Sequence, residues 1–218
     1  ADDVTRDSVA SRGRGDVYKR QIWDRPVAQM REVVESIRAI HTCWSEGTAL
    51  DYRGKFYTFT LMTPMFTPAD CPWGPPPLWL AALGPMMSRL AGEVSDGVLV
   101  HPFSTRTFLD QVTLPHLAEG IRRSGRSDDD VDLVVNAIVC AYRTDEEREQ
   151  AIRGARFNLA FYGSTPAYRV TLEAHGWGDL QPKLNRLTKE GRWDDDSLGL
   201  KFGLAVFLRS GLSLKSLG

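Results

Sequence analysis

The fold is decided by one stretch, Leu78-Trp79-Leu80-Ala81-Ala82-Leu83-Gly84-Pro85-Met86-Met87-Ser88-Arg89-Leu90-Ala91-Gly92-Glu93-Val94-Ser95-Asp96-Gly97-Val98-Leu99-Val100-His101. Leu78–Leu83 is a short continuous apolar run, as a strand buried on both faces requires. Gly84-Pro85 turns the chain, and Met86, Met87, Leu90, Ala91 and Val94 then fall at helical spacing. Asp96-Gly97 turns it back into Val98–His101, a second apolar run. Strand, helix and strand in so few residues form the unit from which parallel sheets are built.

Downstream the pattern recurs. Thr105 opens a helix through Phe108, Val112, Leu117 and Ile121 that closes at Gly125, with Pro115 expected to kink it. Asp128-Asp129-Asp130 is a solvated turn, and Val131–Ala141 reads as a third strand. Thr144-Asp145-Glu146-Glu147 is a capping box. Its helix runs through Ala151, Ile152, Ala155, Leu159 and Phe161 until Ser164-Thr165-Pro166 breaks it. Tyr168, Val170 and Leu172 mark a further helix, and Leu180, Leu184 and Leu187 a last one beyond the turn Gly176–Asp179. Alternating units of this size mean an α/β fold, either a doubly wound sheet or a (β/α)8 barrel.

Upstream, Asp24 and Pro26 open a helix whose stripe is Val27, Met30, Val33, Val34, Ile37, Ile40 and Trp44, ending at Gly47. Asp51–Tyr57 reads as a hairpin turning near Arg53-Gly54. The proline-rich stretch from Leu61 to Pro77 excludes regular structure and makes a long loop.

Composition sets the class. The 218 residues are 42% hydrophobic and 25% charged, with a formal net charge of -1, which argues against a nucleic-acid or anionic-membrane surface. Three widely spaced cysteines, Cys43, Cys71 and Cys140, fit neither a disulfide framework nor a zinc site and point to a reducing, cytoplasmic setting. No apolar run has the length of a membrane span, and no secretory leader is visible at Ala1–Val4.

At this point the residues resemble a family. Leu83-Gly84-Pro85-Met86-Met87 followed by Leu90–Gly97 is similar to the motif of the luciferase-like flavin monooxygenases, most of all the branch that uses the deazaflavin coenzyme F420. Met30-Arg31-Glu32, Tyr52–Tyr57, Leu61–Pro64, Ala160–Tyr168 and His175–Asp179 agree too, so the resemblance spans Ile22–Asp194. It implies an oxidoreductase moving a hydride between F420 and an organic small molecule. The alternatives are an FMN-dependent monooxygenase of the same fold and a non-catalytic barrel fragment. It also implies that the turn after the first strand of the unit holds the cofactor phosphate.

The turn has the physics for that role. A strand running into a helix through glycine leaves unpaired N–H groups at the positive end of the helix dipole. Leu83, Gly84, Pro85, Met86, Met87 and Ser88 are the candidate cofactor-binding residues, with the N–H groups of Gly84, Met86 and Met87 and the Ser88 hydroxyl as donors, since Pro85 has no N–H. His101, at a strand end, is the candidate catalytic residue, although it could equally anchor its own loop. His116 and His175 read as surface or packing residues. Asp194-Asp195-Asp196 does not read as a carboxylate site, and Arg14-Gly15-Asp16 is a chance match to an adhesion motif. Met62, Met65 and Phe66 either line the cofactor ring or pack their loop. No metal site is expected.

A complete barrel needs about 250 residues. Residues 22–196 are therefore expected to form part of a (β/α)8 TIM-type barrel with its first and last strands missing. Residues 1–21, where Gly15–Gln21 resembles translated adapter sequence, are expected to be a non-native or disordered tail, and residues 197–218 a frameshifted or non-native one. Open strand edges predict self-association or poor folding, and a homodimer is the common state of such barrels.

Overall fold

The computed structural model describes residues 25–69 and 72–192. Both expected tails, the Asp24 cap, Cys71 and Asp194–Asp196 lie outside the described residues. The chain divides into two compact units, Ala1–Pro72 and Trp73–Gly218.

In the first unit, α1 spans Pro26–Glu46, with proline in its first turn and Gly47 closing it at φ 65°. Val34, Ser36 and Cys43 are buried; Trp44, expected on the buried stripe, is exposed. A two-strand ladder follows, β1 (Tyr52–Arg53) antiparallel to β2 (Thr58–Phe59). The returning arm therefore starts at Thr58, later than the expected Lys55–Tyr57. The reason lies in α1. The Glu32 carboxylate accepts N–H bonds from Lys55 (2.9 Å), Phe56 (2.8 Å) and Tyr57 (3.1 Å), which takes those amides away from any ladder. Burial raises the Glu32 pKa, but these three amides and the Lys55 charge outweigh it, and the carboxyl sits below its ordinary value.

The second unit carries a three-stranded parallel sheet, β3 (Trp79–Ala81), β4 (Gly97–Val100) and β5 (Asp132–Val135), in chain order. Sequential parallel order fits the expected α/β fold. Between β3 and β4 lies α2 (Pro85–Val94). Between β4 and β5 the chain is helical from Arg106 to Arg123, with a π-helical turn at Leu109–Thr113 ahead of α3 (Leu114–Arg123). Pro115 cannot donate the usual backward bond, and the expected kink takes the form of this widened turn. After β5 come α4 (Asp145–Ser164), α5 (Arg169–Glu173) and α6 (Leu180–Lys189).

The core lies between the sheet and α2–α3: Ala82, Ala91, Val98, Leu117 and Ile121 form one cluster. The two helices cross backbone to backbone. A Cβ on Gly92 would strike the Leu117 carbonyl, and one on Gly120 the Arg89 carbonyl. A second cluster, Phe103, Ala155, Leu159 and Leu172, holds α4 and α5 together.

Two strand expectations need correction. Leu78–Leu83 is not buried on both faces: β3 is three residues long, an edge strand, and Trp79 and Ala81 are exposed. Val131–Ala141 is not one strand either. Pairing stops at Val135, where its partner β4 also ends, and residues 136–141 continue without a ladder. Met86 and Phe161, which the helical spacing groups with buried residues, are exposed. The Thr144 hydroxyl accepts from Glu147 N–H as the capping box requires, yet the Glu147 carboxylate reaches Arg143 N–H rather than that of Thr144.

Asp96 is more than a turn residue. Its N–H donates to the Leu78 carbonyl (2.8 Å), its carboxylate accepts from Leu78 N–H (2.7 Å), and its carbonyl accepts from Asp132 N–H (2.9 Å). One residue thus ties together the starts of all three strands.

Candidate functional site

Because the strands are parallel, their C-terminal ends share one edge of the sheet. Beyond β3 that edge presents Leu83 to Ser88, beyond β4 it presents His101, and beyond β5 it presents Asn136.

Gly84 caps α2 at φ 82° and ψ 167°, a conformation closed to side chains, and Pro85 follows at the first helical position. A Cβ on Gly84 would meet nothing within 4 Å, so the space over this glycine is open. The Ser88 N–H already donates to the Gly84 carbonyl (3.1 Å). The open donors at the helix start are then the N–H groups of Met86 and Met87, with that of Gly84 beside them. The Ser88 hydroxyl is fully buried with no hydrogen-bond partner. Free amides at a helix start, open space at its capping glycine and an orphaned hydroxyl in the same first turn fit a phosphate-bearing group.

His101 is half-buried between aromatic rings. Tyr168 stacks on it at 4.5 Å and 26°, and Tyr162 meets it edge-on at 4.7 Å and 87°. Its Nδ1 accepts the Phe103 N–H (3.1 Å), which places the proton of the neutral ring on Nε2. Burial pushes its pKa below the ordinary value. The ring therefore does anchor its loop, and at neutral pH it also offers one Nε2–H donor. Burial, and to a lesser degree Tyr162, raises the pKa of the Tyr168 phenol.

His175 has the packing role expected of it. Its Nε2 shares a hydrogen bond of 2.8 Å with the Thr105 hydroxyl, which also accepts the Phe108 N–H. The ring stacks on Trp177 at 4.7 Å, and burial lowers its pKa. His116 bonds the Val112 carbonyl within its own helix. In the first unit, the Met62 sulfur accepts the Trp44 indole N–H (3.3 Å), while Met65 and Phe66 are exposed. Met62 thus packs its loop.

Asn136 escaped the sequence reading. Its side-chain amide donates to the Val100 carbonyl (3.2 Å), the last acceptor of β4, and extends the ladder where the backbone pairing ends. A lone polar residue inside Val134–Ile138 was the available signal. Among the described residues no group of side chains could hold a metal ion, and no helix is long and apolar enough to cross a membrane.

Comparison with known proteins adds the lineage. The family model for luciferase-like monooxygenases matches residues 8–208. An uncharacterized protein of Mycobacterium tuberculosis is 44% identical over 81% of this chain and 54% of its own length. A 5,10-methylenetetrahydromethanopterin reductase of Archaeoglobus fulgidus is 32% identical over 78% of this chain and 48% of its own. An F420-dependent glucose-6-phosphate dehydrogenase of Nakamurella multipartita is 29% identical over 62% of this chain and 38% of its own. The solved coenzyme F420-dependent tetrahydromethanopterin reductase of Methanopyrus kandleri shares the fold, with a TM-score of 0.58 and 24% identity over 86% of this chain and 56% of that one. The chain spans about half the length of the curated relatives it matches.

Proposed function

The chain belongs to the luciferase-like monooxygenase family, and from that premise we propose that it supplies the cofactor-phosphate site of an oxidoreductase that uses coenzyme F420 and acts on an organic small molecule. The observation that carries this reading is the helix start at Gly84, with its left-handed glycine, open space and orphaned Ser88 hydroxyl. Relatives named as F420-dependent favour the deazaflavin over FMN. When bound, the deazaflavin supplies hydride transfer, the step no side chain can perform.

The residues have separate tasks. Gly84 lets the phosphate approach the backbone, and the Met86 and Met87 amides with the α2 dipole stabilise its charge. Leu83 and Pro85 fix the turn. The His101 Nε2–H is the one donor offered by the ring, held in direction by Phe103 N–H and by the Tyr162 and Tyr168 rings. It hydrogen-bonds an oxygen of substrate or cofactor without carrying a charge. We further propose a cytoplasmic setting, in keeping with the free Cys43 and Cys140, and a homodimer that covers exposed sheet surface.

The test is a titration of the whole chain with F420 and, separately, FMN, followed by absorbance and fluorescence. F420 is expected to bind in preference to FMN, and Gly84→Asp to weaken it at least about tenfold by placing a carboxylate against the phosphate. Preference for FMN overturns the cofactor in favour of a monooxygenase. Binding of neither makes the chain a non-catalytic fragment, and an unaffected Gly84→Asp variant moves the phosphate elsewhere.

A further inference from the structure

Beyond that reading, the geometry points to a second small-molecule site, for an amphipathic monoanion, on the helix side of the sheet. A cavity of about 630 Å³ lies in this layer, within the range that holds small organic ligands. Register fixes which side it occupies. Val98 and Val100 are buried against the helices, and they pair with Leu133 and Val135, so those two β5 side chains point the same way. Leu133 and Val135 line the cavity from the sheet, and Ile152, Ala155 and Leu159 line it from α4. The helix that follows β5 therefore stands off it where α2 and α3 press on β4. The cavity reaches Pro102 and Asn136 at the strand ends, but its walls include none of Leu83–Ser88 and not His101.

Charge at the rim selects the ligand. Of the two arginines lining the cavity, Arg106 is neutralised by Asp110, its Nε lying 2.9 and 2.7 Å from the two carboxylate oxygens. Arg148 lies over the Tyr142 ring at 6.0 Å, with no ion pair to its guanidinium among the described residues. Val139 and Tyr142, both exposed, form an apolar lip beside it. One uncompensated cation above an apolar chamber suits a single carboxylate or sulfonate on an aryl or alkyl body.

Calorimetric titration of the whole chain with benzoate, 4-ethylbenzoate and 4-butylbenzoate tests this. Affinity is expected to rise about fourfold per added methylene as the alkyl tail enters the chamber. Arg148→Glu and Val139→Glu, both surface changes that leave the core alone, are each expected to weaken 4-butylbenzoate at least about tenfold. The uncharged 4-butylbenzamide should bind wild type at least about tenfold more weakly than the acid does. Gly84→Asp should leave 4-butylbenzoate binding intact, so failure of the cofactor reading and failure of this one are separable. Absence of chain-length dependence, or equal affinity in wild type and Arg148→Glu, overturns the site.

Discussion

The two faces of the three-stranded sheet are built from alternate residues of the same strands and meet different fates. On one face Val98 and Val100 are sealed, 0% and 1% exposed, beneath α2 and α3. On the other, Trp79 lies across Gly97 with 38% of its surface open, Ala81 is exposed, and Leu99 and Val134 are only partly covered. Burial thus follows the partner rather than the composition. Both faces are apolar; on the helix side the cover is tight over β4 and stops short of β5, where Leu133 is 39% exposed. An apolar sheet face without its covering layer is the surface that a further layer or a second copy would bury.

The comparison breaks most easily at the helix crossing. Gly120→Val would drive a side chain into the Arg89 carbonyl, where backbone on both sides prevents relief, and is expected to cost about 3 kcal/mol or more. Urea unfolding followed by circular dichroism measures it, and a loss below about 1 kcal/mol would show that the helices can separate without penalty.

Next in size is a matched pair. Val98→Ala, on the sealed face, is expected to cost about 2 kcal/mol. Leu99→Ala, on the open face, removes more carbon yet should cost about half as much. Equal losses in the same urea experiment would mean that something covers the open face after all.

The smallest effect is on pH. Burial lowers the folded-state pKa of both His101 and His175, so the native state resists the protons that the unfolded chain accepts. Stability is therefore undiminished above the ordinary imidazole pKa of about 6.5 and falls as pH drops below it. Thermal melts between pH 7 and 5 should show that slope, flattened by the pair His101→Asn and His175→Gln. An unchanged slope assigns the acid sensitivity to other groups.

Much of the helix-side architecture is legible in the sequence, because strand, glycine turn and amphipathic helix follow one another within local reach. The Gly84-Pro85 turn announces both its left-handed backbone and its helix start. What escapes is set by distant partners. Residues 136–141 carry the same strand-forming composition as Asp132–Val135, but β4 has already ended beside them. The later start of β2 depends on Glu32, which lies 23 to 25 residues from the amides it binds. Trp79 looks like core, yet among the described residues its strand pairs on one side only, with β4. His101 is singled out by its place at a strand end, whereas its Nδ1 tether and its aromatic walls come from Phe103, Tyr162 and Tyr168, which no spacing rule connects.

Asp96 gives the molecule a sense of direction. A parallel ladder has no tight turn to start it, so each strand pairing must first bear the entropy of closing a long loop. Asp96 holds Leu78, eighteen residues before it, with two bonds and Asp132 with a third, all at the end where the strands begin. The ladder therefore closes like a zip from that end, and amide exchange should find its bonds the last to open. The opposite edge, where Gly84, His101 and Asn136 stand, is the end that zips last. Sequence can drift there, loop by loop, without undoing the clasp, which is how one scaffold comes to serve many chemistries.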